Sequence, residues 1–339
     1  MPVRKNWFMA RPAVLLLVAV MLASLATAPF LPTGAAAQDD PSASPSPSGD
    51  ASGDGESEIA AAIPPADLPT GNLRGLDLVI DASLDTDLDD APTEADVYSL
   101  TVDPYTLEET RELAERIGLD GEVEERGNDT FVVSGNGELF VSPQLLQYLS
   151  DETPTLADLP SDEEAINFAR DWLRSVGLAP ADLGEGEITS RTEAVGRVSV
   201  VFYPTIPSPI LAAEPNISVT IGPDGVVLEA AARWSSIAVV ERYLLRPAED
   251  AWRDVEAGSA YIEAEFDGAE IAEGASVAGE ATYTDVSVAY TTAGSFGGNR
   301  YLVPVYVFSG EIEAPDVAEG SSEVRAYVPA IVTDDTPVG

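Results

Sequence analysis

Apolar side chains recur at helical spacing in three stretches of the chain. The first stretch begins at Thr106–Glu109 and ends at Gly118. The second begins at Ser161–Glu164 and ends at Gly177. Both start with a capping box, in which Ser or Thr and a Glu three residues later satisfy the first backbone amides of a helix. These two patterns each predict a helix, and a third helix is predicted at Pro247–Val255, where proline occupies the first turn.

Alternating apolar and polar positions follow the predicted helices, which is the pattern of half-buried β-strands. Two pairs of such runs enclose strong turn sequences, at Gly135–Gly137 and Gly222–Gly225. Further alternating runs lie at Arg197–Tyr203, Thr284–Thr291, Tyr301–Phe308 and Glu323–Ile331. One helix followed by three or four antiparallel strands, repeated, predicts an α+β fold of repeated modules, each with one helix packed on a three- or four-stranded sheet.

We expect three such modules, at residues 70–157, 158–245 and 246–333, with the second and third alternatively forming one unit. Residues 38–69 are rich in Ser, Pro, Gly and Asp and contain few apolar side chains. Such a stretch buries too little surface to offset its conformational entropy. It is therefore predicted to be a disordered linker ahead of the folded modules.

Residues 1–37 have the composition of an export segment. A basic start precedes an apolar run at residues 13–28, and Ala35–Ala37 provide a small-residue cleavage pattern. The run is shorter than the roughly 20 residues that a membrane-spanning helix needs. A cleaved signal peptide is the favoured interpretation, and an uncleaved N-terminal membrane anchor is the alternative. Either places the protein outside the cytoplasm, on the outer face of the membrane or secreted into the envelope.

The residue types that are missing exclude most catalytic chemistry. The chain has no histidine and no cysteine, and its single lysine, Lys5, lies in the export segment. Ser–His–Asp and Cys–His mechanisms, Schiff bases and His/Cys zinc sites are therefore excluded. With 59 Asp and Glu against 17 Lys and Arg, the net charge is −42, so nucleic acid is not an expected partner. Carboxylate chemistry, cation binding or a non-catalytic role remain, and no cofactor is predicted.

One acidic stretch offers a candidate metal site. Asp85, Asp87 and Asp89 alternate as at the start of a calcium-binding loop, with Asp96 at the twelfth position. An EF-hand has Gly at its sixth position and Glu at its twelfth, whereas this chain has Asp90 and Asp96 there. A solvated acidic loop is therefore the favoured interpretation, and these four aspartates remain a weak calcium candidate.

Aromatic residues are concentrated in the later predicted strands and form a candidate interaction surface: Trp234, Tyr290, Tyr301, Tyr306 and Tyr327. In a small α+β domain most of them should fill the core. If they shared an exposed face, that face would suit a protein or a polysaccharide.

Several segments resemble tandem PepSY-like domains, most closely the extracytoplasmic regulators of the YycH/YycI type. They are Val176–Leu178, Asn216–Val227, Tyr243–Trp252, Asp285–Tyr290, Tyr301–Gly310 and Ala326–Ala330. The resemblance covers about residues 160–333 and implies a non-enzymatic protein that modulates a sensor or a secreted enzyme. The short apolar leader and the long Ser/Pro spacer depart from that family's pattern.

We therefore expect a non-enzymatic, exported cell-envelope protein that binds or regulates another extracytoplasmic protein through a sheet edge or an aromatic face. The membrane is expected as a partner only through the N-terminal segment, if that segment is not cleaved. A cell-wall or polysaccharide-binding protein is the first alternative. A carboxylate-based glycoside hydrolase is the second, because two suitably spaced acids suffice for that reaction.

Overall fold

The computed structural model describes residues 63–68, 77–153, 158–212, 214–266, 271, 274–294, 299–317 and 320–331. The described part contains three α-helices and fifteen β-strands. The predicted α+β class is confirmed, and strands make up most of the fold. The predicted export segment and most of the predicted linker lie outside the described residues.

The three helices form where the sequence predicts them: α1 is Leu107–Ile117, α2 is Asp162–Val176 and α3 is Ala248–Glu256. The side chains of Thr106 and Ser161 accept the backbone amide three residues ahead, and the glutamates there bond back, so both capping boxes are present. Both of these helices end at a glycine in the left-handed conformation. Among the described residues, no helix is long and apolar enough to cross a membrane.

The fifteen strands are numbered in chain order. They are β1 (Asp77–Leu84), β2 (Glu94–Thr101), β3 (Val123–Gly127), β4 (Thr130–Gly135), β5 (Gly137–Val141), β6 (Leu146–Ser150), β7 (Leu183–Thr192), β8 (Arg197–Pro204), β9 (Asn216–Ile221), β10 (Val227–Arg233), β11 (Ser236–Leu244), β12 (Tyr261–Glu265), β13 (Ser276–Gly294), β14 (Arg300–Glu313) and β15 (Ser321–Pro329).

Eight strands form one antiparallel sheet, in the order β3-β4-β5-β6-β10-β9-β8-β7. Helices α1 and α2 pack on this sheet and contact each other, so we call it the two-helix sheet. Four strands follow each helix, and the last strands of the two sets, β6 and β10, pair in the middle. The core between helices and sheet includes Leu113, Leu139, Ala165, Leu173, Val200 and Phe202.

The other seven strands form a second sheet, which we call the one-helix sheet. Its main order is β1-β13-β14-β15-β12, with β2 pairing beside the start of β14 and β11 pairing with β2. Helix α3 covers one face, where Trp252 makes edge contacts with Tyr283 and lies against Phe308, both with ring centroids 5.5 Å apart. Tyr306, on the same strand as Phe308, is buried beside them.

Each large sheet combines strands from more than one of the predicted modules. Strands β1 and β2, from the predicted first module, lie in the same sheet as β12–β15 from the third. Strand β11, from the predicted second module, joins them through β2. The strands are thus grouped in two large sheets, of eight and seven strands. Alternation along a strand fixes which face is buried but does not specify which strand lies alongside.

The prediction of a disordered linker is wrong for residues 63–68. Ile63 is buried beside Tyr243, and the backbone amide of Asp67 donates to the carbonyl of Thr292 at 2.7 Å. Leu68 packs on the sheet face opposite α3. This short stretch carries apolar side chains that the preceding Ser/Pro/Gly/Asp residues lack, and their burial offsets the cost of ordering it.

Strand β13 is 19 residues long, and three separate segments cover its outer edge. Strand β1 pairs with its first part in parallel. In its second part, the Tyr290 amide donates to the Pro209 carbonyl at 2.9 Å, and the Leu211 amide donates to the Tyr290 carbonyl at 2.8 Å. Residues 66–67 pair near its end. The loop at residues 205–212, which leaves β8 of the two-helix sheet, thus docks on the one-helix sheet.

Charged side chains close the same junction between the sheets. Arg300, at the start of β14, contacts the Glu214 carboxylate at 2.8 Å, and Arg233, at the end of β10, lies 4.0 Å from it. The side chains of Arg300 and Glu214 are only 13% and 18% exposed. Burial raises the pKa of the nearby Asp67, and the positive charge of Arg300 opposes that rise. Glu214 therefore links the two sheets electrostatically.

Replacing Ile63 with alanine tests whether residues 63–68 belong to the fold. We expect Ile63→Ala to lower the free energy of unfolding by about 2 kcal/mol, because a buried side chain loses its contacts and leaves a cavity. Urea titration followed by tryptophan fluorescence measures the change. Pro65 is exposed, so Pro65→Ala is the matched control and should leave the midpoint nearly unchanged. Equal midpoints for both variants would contradict the burial of Ile63 in the core.

Removing Glu214 tests the junction. Glu214→Ala should lower the free energy of unfolding by about 2 kcal/mol, because it leaves the guanidinium groups of Arg233 and Arg300 close together in a largely desolvated place. Asp171→Ala removes the carboxylate of an exposed helix pair with Arg174 and should cost less than about 0.5 kcal/mol. Thermal and urea unfolding of both variants give the comparison. A Glu214 variant no weaker than the Asp171 variant would show that the junction does not depend on this carboxylate.

Candidate functional site

The four aspartates of the calcium candidate are not brought together around one point. Asp85, Asp87 and Asp89 are exposed in the turn after β1, where the Asp89 amide donates to Asp87 Oδ1 at 2.9 Å. Asp96 lies on β2 and accepts two bonds from Arg242, at 2.8 and 3.2 Å. The described residues contain no group of three or more acidic side chains arranged to hold a metal ion. Asp85, Asp87 and Asp89 thus lie exposed in a turn, while Asp96 is engaged by Arg242.

The aromatic residues of the candidate interaction surface do not form an exposed face. Tyr290, Tyr306 and Tyr327 are buried, while Tyr301 and Trp234 are half-buried and pack against different cores. The Tyr306 hydroxyl lies within hydrogen-bond distance of two backbone carbonyls. Trp234 packs against the core of the two-helix sheet, and the four tyrosines pack against the cores of the one-helix sheet. They therefore do not share one exposed face.

A second pair of aromatic rings is engaged internally in the same way. Tyr327 stacks on Tyr261 with ring centroids 5.7 Å apart. Their hydroxyls donate to the two oxygens of Glu263, at 2.8 and 3.0 Å. Burial raises the pKa of both tyrosines, and the Glu263 charge adds to that rise. The carboxylate here holds two phenols in place and is committed to that role.

A hydrolase would need a carboxyl of raised pKa that faces a second carboxylate across a cleft. Burial raises the pKa of Asp67, but its neighbour Arg300 is bonded to Glu214. The depression beside Asp67 is lined by apolar residues and prolines: Ile63, Pro64, Ala66, Val303, Pro304, Pro329 and Ile331. This arrangement favours a structural role for the acids at the junction over a catalytic one.

The outer edge of β11 is the feature that the packing leaves unexplained. Strand β11 pairs with β2 on one side, and no described strand pairs with its other side. Three of its apolar side chains are exposed: Val239 by 59%, Val240 by 42% and Leu244 by 78%. An open backbone edge that carries apolar side chains is a ready site for another strand.

Pairing with β2 fixes the position of this edge. Val239 lies opposite the buried Tyr98, and Ile237 lies opposite Leu100. Val240 is the extra residue of a bulge between Val239 and Glu241. A bulge breaks the ladder locally and re-aims side chains, so two consecutive valines are exposed here. The edge is therefore a fixed part of the sheet and not a loose ribbon.

The other strands that end the two sheets present charge at their edges. Each carries exposed acidic side chains: Asp81 on β1, Glu124 and Glu125 on β3, Glu185 and Glu187 on β7, and Glu265 on β12. Strand β7 also contains two irregularities of register, and β12 has only five residues. Charge, irregular pairing and shortness all discourage edge-to-edge pairing. Strand β11 is the described edge strand with three exposed apolar side chains.

Some of the charged side chains near this edge are paired, and others are not. Arg242 is held by both oxygens of Asp96, and this pair lowers the pKa of Asp96 and raises that of Arg242. Glu241 and Glu94 are exposed, and neither forms an ion pair within the part of the chain that the structure describes. The edge is therefore apolar, with a neutralised cation and excess negative charge.

Sequence reasoning did not single out Ser236–Leu244. The signal is present in the run Ile237–Val240, which has four consecutive uncharged apolar residues, three of them β-branched. Such a run is also typical of a buried strand. Only the position of β11 at the outside of the sheet distinguishes an exposed edge from a core strand.

Comparisons with known proteins give a distant structural likeness. No family model matches the chain, and no curated protein matches it. An uncharacterized protein from Eubacterium rectale is 10% identical over 76% of this chain and 90% of that chain, with a TM-score of 0.43. The YpeB C-terminal domain of Bacillus megaterium is 12% identical over 69% of this chain and 95% of its own, with a TM-score of 0.35. Both are distant structural resemblances.

Proposed function

We propose that this protein is a non-enzymatic, exported cell-envelope protein that binds an extended segment of another extracytoplasmic protein along the outer edge of β11. The proposal is supported mainly by the open, apolar edge at Val239, Val240 and Leu244. Export is inferred from the basic and apolar pattern of residues 1–37 alone.

Strand addition supplies both affinity and selectivity. The backbone groups of an incoming strand bond to the free edge, and its alternate side chains lie beside those of β11. Strand β11 needs little rearrangement to accept it, because β2 already holds it against a core that includes Tyr98 and Leu100. Because the edge is preformed, the conformational entropy lost on binding is mainly that of the partner segment.

The order of elements supports the finer proposal that three PepSY-like modules make up the fold. Helix α1 precedes β3–β6, helix α2 precedes β7–β10, and helix α3 precedes β12–β15. In this proposal the first two modules join through β6 and β10, while β1, β2 and β11 are additions to the third. The binding edge would then be an addition to the repeated module, and its partner would be the protein that the module regulates.

A photoreactive amino acid placed at position 239 should crosslink to a discrete protein in the cells that make this protein, whereas the same residue at position 79 should not. Val79 on β1 is the matched control, because it is 58% exposed and Val239 is 59% exposed. The crosslinked protein is then identified and purified. Val239→Lys should weaken its binding about tenfold or more, because the ammonium group is desolvated when a strand adds to the edge.

Val79→Lys should bind that protein with native affinity in the same titration. An equal loss of affinity in Val239→Lys and Val79→Lys would show that Val239 has no specific role in binding. If the full chain instead retained glycans through a surface that Val239→Lys does not affect, the protein-binding proposal would be overturned.

A further inference from the structure

We infer that the segment bound by β11 is a cationic, amphipathic strand, with apolar side chains beside Val239 and Leu244 and a Lys or Arg beside Glu241. The inference rests on the proposed function, because it names the chemistry of the partner at the same edge. It follows from the faces of β11, from the local charges and from the charge of the whole chain.

The register with β2 assigns the side chains of β11 to two faces. Directly opposite residues of antiparallel strands share a face. Val239 lies opposite Tyr98, whose ring packs in the core on the same side of the sheet as Leu302. Leu244 lies opposite Glu94, which stands four positions before Tyr98 and so on the same face. This face of the edge is therefore mainly apolar.

The opposite face of the edge carries the exposed carboxylate of Glu241 beside the buried Tyr243. Glu241 lies opposite Val97, the neighbour of Tyr98 in the chain, so its carboxylate points to the other side of the sheet. Glu241 is exposed and has no ion-pair partner among the described residues. A strand added to β11 would place a side chain directly beside this carboxylate. A Lys or Arg there gains a cross-strand pair, whereas an Asp or Glu is repelled.

The one cation of β11 does not reverse this preference. Arg242 lies on the apolar face, opposite Asp96, and its guanidinium group donates to both carboxylate oxygens of Asp96. Its charge is satisfied within the sheet. An anionic partner would have to compete with Asp96 for the guanidinium group, while a cationic partner meets a free carboxylate at Glu241.

The charge of the whole chain acts in the same direction. A net charge of −42 gives a negative field that raises the local concentration and association rate of cationic segments. It also disfavours pairing of β11 with β11 of a second copy, because two strongly acidic chains would have to approach edge to edge. A cationic segment of a different protein is therefore the occupant that the charges select.

Two rhodamine-labelled peptides test the inference with the full chain. One is acetyl-Thr-Val-Lys-Val-Lys-Val-Thr-amide, and the other has Glu in place of both Lys. Fluorescence anisotropy titrations should show the lysine peptide binding about tenfold or more tightly than the glutamate peptide, and its affinity should fall as salt rises from about 20 to about 150 mM. Glu241→Gln should weaken binding of the lysine peptide about threefold to tenfold and reduce the salt dependence.

Glu125→Gln, on the edge of β3, is the control for net charge and should leave the affinity for the lysine peptide nearly native. Native unfolding midpoints for both glutamine variants confirm that they are folded. Equal binding of the two peptides, equal effects of the two glutamine variants, or no binding of the lysine peptide would overturn the inference.

The same titrations separate this inference from the proposed function. Val239→Lys should abolish binding of the lysine peptide. If it does so while Glu241→Gln has no effect, the edge binds strands without selecting cations, and only the inference fails. If Val239→Lys binds the lysine peptide as tightly as the native chain does, the peptide does not occupy β11 and the proposed function fails as well.

Discussion

The structure depends on how the outer edge of β13 is completed. This strand is too long for β1 to cover, so the loop that leaves β8 and residues 66–67 pair with the remainder. These backbone bonds bring parts of the chain that are far apart in sequence to one strand. The Glu214 ion pairs, the cluster around Tyr98 and Tyr290, and the position of β2 all lie around this closure. Strand β11 is held beside this closure through its pairing with β2.

Local sequence patterns predicted the individual helices and turns much better than the way the strands pair into sheets. Both capping boxes and the helix-terminating glycines could be predicted, because each depends on groups within one helical turn. The turns at Gly135–Gly137 and Gly222–Gly225 also separate paired strands as expected. The grouping of strands into two large sheets was not predictable, because it depends on backbone pairing between β2 and β14 and between β6 and β10. Alternation of side chains contains no information about such distant partners.

The candidate site shows the same limit. The tyrosines of the last strands are conspicuous in sequence, yet Tyr306 and Tyr327 are buried because their strands lie inside the sheet. The valines of β11 look like core residues and are exposed because their strand is outermost. Whether an apolar side chain builds a core or a surface is thus decided by strand order. The overall negative charge, in contrast, is known from composition alone.

The register of β2 and β11 has a consequence for the architecture of the whole chain. Thr101, the last residue of β2, lies directly opposite Ser236, the first residue of β11. Everything between them, including the complete two-helix sheet, departs from and returns to two adjacent points. The arrangement is that of an insertion in a hairpin, so a tight turn joining Thr101 to Ser236 would give a continuous chain for the host domain. Both ends of the guest are anchored a few ångströms apart, so the parts of it other than the docked loop at residues 205–212 and Glu214 can vary in size and sequence without stretching the host.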